Sequence, residues 1–178
     1  MEWLQETDER ILLWIQEHMR EDVFDDFWRT VTFLGDKGWF LILLGGTLLL
    51  FRKTRLAGAG ALLSMGLGAA VTNLVLKKLV ARPRPYDRVE GLLPLVERLT
   101  DGSFPSGHTC AAFASAYVYW KLLPRKYGWT ALALAALMGL SRLYLGMHYA
   151  TDVAGGLLVG WLSGLAVCRA LKRWENRK

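Results

Sequence analysis

The sequence predicts an all-α fold: a polytopic membrane helical bundle of about five transmembrane helices, preceded by N-terminal amphipathic interfacial helices. Three observations point there. The apolar residues, 53% of the 178-residue chain, come in long runs: residues 56–76 carry no charge, and residues 153–167 carry none either. A bilayer core of about 30 Å is crossed by roughly 20 such residues in a helix. Glycines sit inside these runs (Gly58, Gly60, Gly66 and Gly68; Gly155, Gly156, Gly160 and Gly164), which a soluble helix tolerates badly and close-packed membrane helices use for backbone approach. The charges are also segregated. Residues 1–38 hold ten acids against four bases, and the remainder holds six acids against eighteen bases. The net charge of +6 therefore fits a membrane better than a nucleic acid, and a soluble helical domain does not explain the runs.

One integral membrane domain spans 1–178, divided into an amphipathic segment (1–38), a transmembrane core (39–171) and a basic tail (172–178). In the first, Leu4, Ile11, Leu12, Ile15, Met19, Val23, Phe27, Trp28 and Val31 recur mostly every three or four positions with acids between them, an amphipathic helical pattern. Asp22, Asp25 and Asp26 make a span there costly. One or two interfacial helices are expected, with Trp3, Trp14 and Trp28 at headgroup level; alternatively, part of the segment lengthens the first span. The acidic N-terminus gives no signal peptide, so insertion is expected to rely on the spans. Gly35 to Gly38 punctuates, and a short span follows at 39–51.

Arg52, Lys53 and Arg55 mark a cytoplasmic loop by the positive-inside rule, so the second span (56–76) runs outward to Lys77 and Lys78. Pro83 and Pro85 then forbid helix. Residues 86–104 read as a loop with a short interfacial helix near 92–99. Spans at 107–123, 129–145 and 153–171 return to Arg125 and Lys126, run outward, and end at the basic cytoplasmic tail. Cys110 and Cys168 fall near opposite faces and make a poor disulfide pair.

Three polar stretches then meet on the outer face: 77–85 (KKLVARPRP), 105–108 (PSGH) and 141–152 (SRLYLGMHYATD). An ideal helix turns about 100° per residue, so Arg142 and His148 would point about 120° apart on one helix; Gly146 is the expected terminator that lets them share a site. Asp152, four residues past His148, can then orient the imidazole. Singly, each feature has a bland reading: Ser106 as an N-cap, a histidine as an interfacial residue, and Lys78, Arg82 or Arg88 as cations reaching headgroups. Together they supply what phosphoryl transfer without a metal requires. Lys77, Arg84 and Arg142 form a clamp; Ser106 with the N–H groups of Gly107 and His108 forms an anion cradle. His148 is the nucleophile, Asp152 fixes its tautomer, and His108 protonates the departing oxygen.

Lys77 with Arg84–Pro85, PSGH at 105–108, and Ser141–Arg142 with His148 and Asp152 resemble, in order, the three-part signature of the type 2 phosphatidic acid phosphatase superfamily. The resemblance covers 77–152 tightly and the flanking spans loosely. It implies a phosphohistidine on His148, acid catalysis by His108, orientation by Asp152, phosphate binding by Lys77, Arg84, Ser106, Gly107 and Arg142, and no metal or other cofactor. Position 150 is alanine where the family often has proline, and five spans stand where many relatives have six.

Two other readings were open. His108, His148 and Asp152 could ligate a cation, although three cations beside one carboxylate would repel it. A lipid-binding or lipid-translocating protein would use the basic cluster only to hold headgroups and would not need His148. The expected substrate is a membrane lipid phosphate at headgroup depth: a polyprenyl diphosphate such as undecaprenyl diphosphate, phosphatidylglycerophosphate or phosphatidic acid. The resemblance to bacterial enzymes implies an inner-membrane protein with its site on the extracytoplasmic face and no nucleic-acid partner.

Overall fold

The computed structural model describes residues 2–177 and, among them, contains helices and no strand. The helices are α1 (Glu2–Met19), α2 (Asp22–Gly35), α3 (Trp39–Leu49), α4 (Arg55–Ala69), α5 (Lys77–Val80), α6 (Gly107–Leu122), α7 (Arg125–Tyr144) and α8 (Ala150–Glu175). A 3₁₀ turn (Asp36–Gly38) joins α2 to α3, and a π-helical segment (Ala70–Leu76) joins α4 to α5 without a break. Another 3₁₀ turn covers Pro85–Asp87.

Helix α6 is the centre. Ten of its residues are buried, from Thr109 to Tyr119, because α4, α7 and α8 all pack on it. Its contact with α8 is set by a glycine stripe on that helix. A Cβ at Gly156 would lie 2.5 Å from the Ser106 carbonyl oxygen, and one at Gly160 would lie 2.4 Å from that of Cys110. The two backbones therefore touch, as close-packed membrane helices allow. Cys110 and Cys168 are both free thiols.

Among the described residues, three continuous stretches are long and apolar enough to cross a membrane: Asp22–Leu49, Arg55–Asp87 and Ala150–Glu175. The first shows that the acidic segment does not lie wholly apart from the bundle. α2 runs through the 3₁₀ turn into α3, with Lys37 and Gly38 at φ 49° and 70° absorbing the kink. The two other expected spans correspond to α6 and α7, which do not reach that length and hydropathy. For α6 the reason is its position: surrounded by helices, it can carry serine, threonine and tyrosine where a lipid-facing helix could not.

The helix expected near 92–99 is absent. Pro94 removes a donor and holds Leu93 extended, and the backbone finds partners elsewhere. Leu95 N–H donates to the Leu145 carbonyl at 3.2 Å, while Arg20 and Arg29 donate to the carbonyls of Leu93 and Leu95. This loop is thereby strapped across α1, α2 and the end of α7, over the same end of the bundle as Lys77, His108 and His148.

Candidate active site

α7 ends at Tyr144, and Gly146 takes φ 70°, the left-handed conformation that closes a helix and favours glycine. The N–H groups of Met147 and His148 both donate back to the Arg142 carbonyl, at 3.0 and 3.3 Å. The chain reverses, and His148 arrives beside the start of α8. There Tyr149 is the N-cap residue and Asp152 the third residue of the first turn, its Oδ2 accepting the Tyr149 N–H at 2.9 Å.

His148 is buried. Its Nε2 lies 3.0 Å from Nη1 of Arg84, which also donates to the Met147 carbonyl at 3.0 Å. Arginine has only donors, so Nε2 accepts and the ring proton belongs on Nδ1. Nδ1 lies 3.6 Å from Oδ2 of Asp152 and 3.5 Å from Oγ of Ser103. Ser103 donates to that same Oδ2 at 2.5 Å. Burial first, then the charges of Arg84 and Arg142, push the His148 imidazole down to about 3 against the opposing pull of Asp152. It is neutral at pH 7.

A cavity of about 550 Å³ opens in front of this ring. Lys77, Arg84, Gly107, His108 and His148 line its polar end, and Ile42, Leu62, Met65 and Ala69 supply an apolar wall from α3 and α4. Five of the eight residues expected from the sequence thus face one space. The other three do not line it. Asp152 is fully buried in contact with His148. Ser106 caps α6, its Oγ accepting from the Thr109 hydroxyl at 3.0 Å and, at 3.5 Å, from the Thr109 N–H. Arg142 is buried, donates from Nη1 to the Thr32 hydroxyl on α2, and leaves Nε without a hydrogen-bond partner.

Three residues that sequence reasoning passed over, and one that it placed elsewhere, complete the surroundings. Asp101 bonds both clamp cations: Oδ2 accepts from Lys77 Nζ, and Oδ1 accepts from Arg84 Nη2 at 2.6 Å. Burial raises its carboxyl, but Lys77 and Arg84 outweigh that and hold it at about 2. Asp36, on the turn between α2 and α3, places Oδ1 3.8 Å from His108 Nε2. Ser103 bonds Asp152. Arg82, expected to reach for headgroups, instead turns inward, bonding Asp152 Oδ1 at 2.8 Å and Asp8 Oδ2 at 2.9 Å. With Asp36 and Asp101 beside it, the cavity is less one-sidedly cationic than the sequence suggested. Among the described residues, no three His, Cys, Asp or Glu side chains are placed to hold a metal ion.

The geometry has close counterparts. The crystal structure of a transmembrane PAP2-type phosphatidylglycerolphosphate phosphatase from Bacillus subtilis superposes with a TM-score of 0.80 at 31% identity, over 97% of this chain and 88% of that one. Aquifex aeolicus LpxE gives a TM-score of 0.80 at 29% identity, over 90% and 93%. In sequence, phosphatidylglycerophosphatase B of B. subtilis is 33% identical over 81% of this chain and 73% of its own length. An undecaprenyl-diphosphatase of Sulfolobus acidocaldarius is 34% identical over 67% of this chain. The chain spans 58% of that relative's length and 48% of the Bacillus licheniformis bacitracin transport permease protein BcrC. The sequence pattern of the PAP2 superfamily matches residues 57–176, a stretch that holds the three polar motifs, the cavity's cationic end and the central helix, and the chain belongs to that superfamily.

Proposed function

We propose that the protein is a lipid phosphatase that removes the terminal phosphate of a membrane lipid through a phosphohistidine on His148, without a metal. The observation that carries this reading is the neutral, buried His148 ring lining a cavity that is cationic at one end and apolar along its wall. A phosphate fits the first and a lipid chain the second.

Arg84 Nη1 turns from Nε2 to the phosphate, and the freed lone pair of Nε2 bonds to phosphorus as the bond from phosphorus to the lipid oxygen breaks. His108 gives that oxygen a proton. Lys77 and Arg84, with the N–H groups of Gly107 and His108, stabilise the equatorial oxygens, while Arg142, which does not line the cavity, adds its charge at longer range and Ser106 holds the start of α6 in place. Asp152 stabilises the charged imidazole. Water then attacks phosphorus, the phosphorus–nitrogen bond breaks, His108 recovers a proton from the water, and inorganic phosphate leaves.

Relatives named as undecaprenyl-diphosphatase and phosphatidylglycerophosphatase support a polyprenyl diphosphate or a phosphatidylglycerophosphate as substrate. The positively charged loops at 52–55 and 124–126 and the tail at 172–178 lie at the ends of helices opposite the cavity, which supports five spans, an extracytoplasmic site and a cytoplasmic C-terminus in the cell membrane.

The test is phosphate release from a panel of these lipids in detergent with excess chelator. Turnover is expected to survive the chelator and to vanish in His148→Ala. Activity lost to chelator, or retained in His148→Ala, would overturn the reading.

A further inference from the structure

Helix α1 is acidic and largely exposed, yet Asp8, alone among its acids, is fully buried. A buried carboxylate is costly unless paired, and Asp8 is paired on every side. Oδ1 accepts the N–H of Thr151, in the first turn of α8, at 3.1 Å. Oδ2 accepts from the Thr151 hydroxyl and from Arg82 Nη2 at 2.9 Å. The contacts sit at a helix N-terminus, where the dipole favours negative charge.

Arg82 carries the connection onward. Nη1 donates to Thr151 Oγ1 at 2.6 Å and to Asp152 Oδ1 at 2.8 Å. Nη2 also donates to Gln5 Oε1 at 2.7 Å. The guanidinium carbon lies 3.8 Å from the centre of the Tyr149 ring, so it is held against the residue between His148 and α8. The charges along this line alternate: Asp8 negative, Arg82 positive, Asp152 negative, and then the imidazole, which becomes positive when it is phosphorylated.

We infer that Asp8 of the N-terminal helix is a positioning residue for the His148–Asp152 pair, acting through Arg82. The reason is charge as well as geometry. Arg82 alone would neutralise Asp152 and take from the imidazolium the carboxylate that stabilises it. With Asp8 on the far side, the Asp8–Arg82–Asp152 group keeps a net charge of −1, as an isolated Asp152 would have. Arg82 meanwhile fixes the Oδ1 side of Asp152, so that Oδ2 stays turned to Ser103, Tyr149 N–H and His148. The inference rests on the proposed role of His148, and α1 becomes part of the active site.

The experiment compares wild type, Asp8→Asn, Arg82→Gln and the double variant in detergent, each normalised to folded protein, with His148→Ala as control. Asparagine keeps the shape and an acceptor and removes the charge. Loss of a partner that orients a histidine typically costs about 10- to 100-fold, and that loss is expected in kcat with KM within about twofold. Because Asp8 acts through Arg82, Asp8→Asn should add no further loss in the Arg82→Gln background. A wild-type kcat in Asp8→Asn, or losses that multiply in the double variant, would overturn the inference. If His148→Ala retains activity, the reading of the site fails instead. A readout without turnover is the ¹⁵N NMR signal of the His148 ring: Asp8→Asn should shift it, and an unchanged signal would overturn the inference on its own. Should Asp8→Asn not fold, Gln5→Ala removes another acceptor of Arg82 Nη2, together with the donor that bonds Glu9, and Gln5→Glu, which keeps the acceptor, serves as its control. Gln5→Ala should lower kcat by a smaller factor, and an unchanged kcat would count against Asp8.

Discussion

On the proposed mechanism an incoming phosphate needs the place of Asp101, since its two oxygens bond Lys77 and Arg84. Replacing it with asparagine should therefore tighten the binding of oxyanions. A carboxyl held at about 2 instead of 3.8 corresponds to roughly 2.4 kcal/mol, at ~1.36 per pH unit. The side chain is 51% exposed, and solvent screening removes a large part of such an interaction, leaving about 1 kcal/mol. That is roughly fivefold in an equilibrium constant. The sign follows from the depressed carboxyl: its stabilisation is complete above its unfolded value and is lost only as pH falls toward about 2. At pH 7 the full effect is present. Asp101→Asn should lower the inhibition constants of inorganic phosphate and orthovanadate about fivefold at pH 7, with kcat within twofold of wild type. It should also lower the melting temperature by a few degrees, because the clamp loses its internal counter-charge. Inhibition constants that stay the same or rise would mean that Asp101 shapes the clamp instead of competing for it.

The buried His148 ring should not titrate between pH 5 and 8 in the free enzyme, because burial and the two arginines keep it neutral down to about pH 3; an NMR titration with a midpoint near the usual 6.5 would contradict that. Gly160→Ala should cost about 1–3 kcal/mol of stability, since its Cβ would lie 2.4 Å from the Cys110 carbonyl oxygen; an unchanged unfolding temperature would show that α6 and α8 do not touch there. His108→Ala should slow a phosphate monoester by roughly 100- to 10,000-fold and a diphosphate distinctly less, since a departing phosphate is a weaker base than an alkoxide. Equal losses in kcat/KM for both lipids would move His108 from proton donor to phosphate binder.

The residues that were legible in the sequence share a property: each is fixed by a local signal at a helix end. Gly146 announces the reversal that brings His148 round, and Asp152 follows it by four residues into the first turn of α8. Pro83 and Pro85 follow the end of the helix that carries Lys77. Ser106 reads as an N-cap, and the hydroxyl does cap α6. The residues that stayed hidden are joined across long stretches of chain. Asp101 meets Arg84 17 positions away and Lys77 24 away; Asp8 meets Thr151 143 positions away. No periodicity connects such partners, and an acid on an amphipathic helix ordinarily faces water. Arg82 was misplaced for the related reason that its partners lie on α1 and α8, not on its own segment. The number of spans was blurred by burial, because an encircled helix such as α6 need not look like one that faces lipid.

The π-helical segment between α4 and α5 has a consequence for how this helix can change. Gly68 packs on Cys110 of α6, and Lys77, nine residues later, has its N–H bonded five residues back to the Thr72 carbonyl. In an uninterrupted α-helix nine residues turn about 900°, which would set Lys77 about half a turn away from the packed face. One residue taken up by the wider turn subtracts about 100° and leaves Lys77 about 80° from that face, beside the cavity. The helix is in effect two gears on one shaft, meshed a notch apart. Removing a single residue from 70–76 would let the helix close as a regular α-helix, eight residues and about 800° from Gly68 to the lysine, and keep the ammonium about 80° from the packed face; straightening the segment at full length would instead set it about 180° from that face. A one-residue deletion there is therefore far less damaging to the placement of Lys77 than a substitution that straightens the segment at full length.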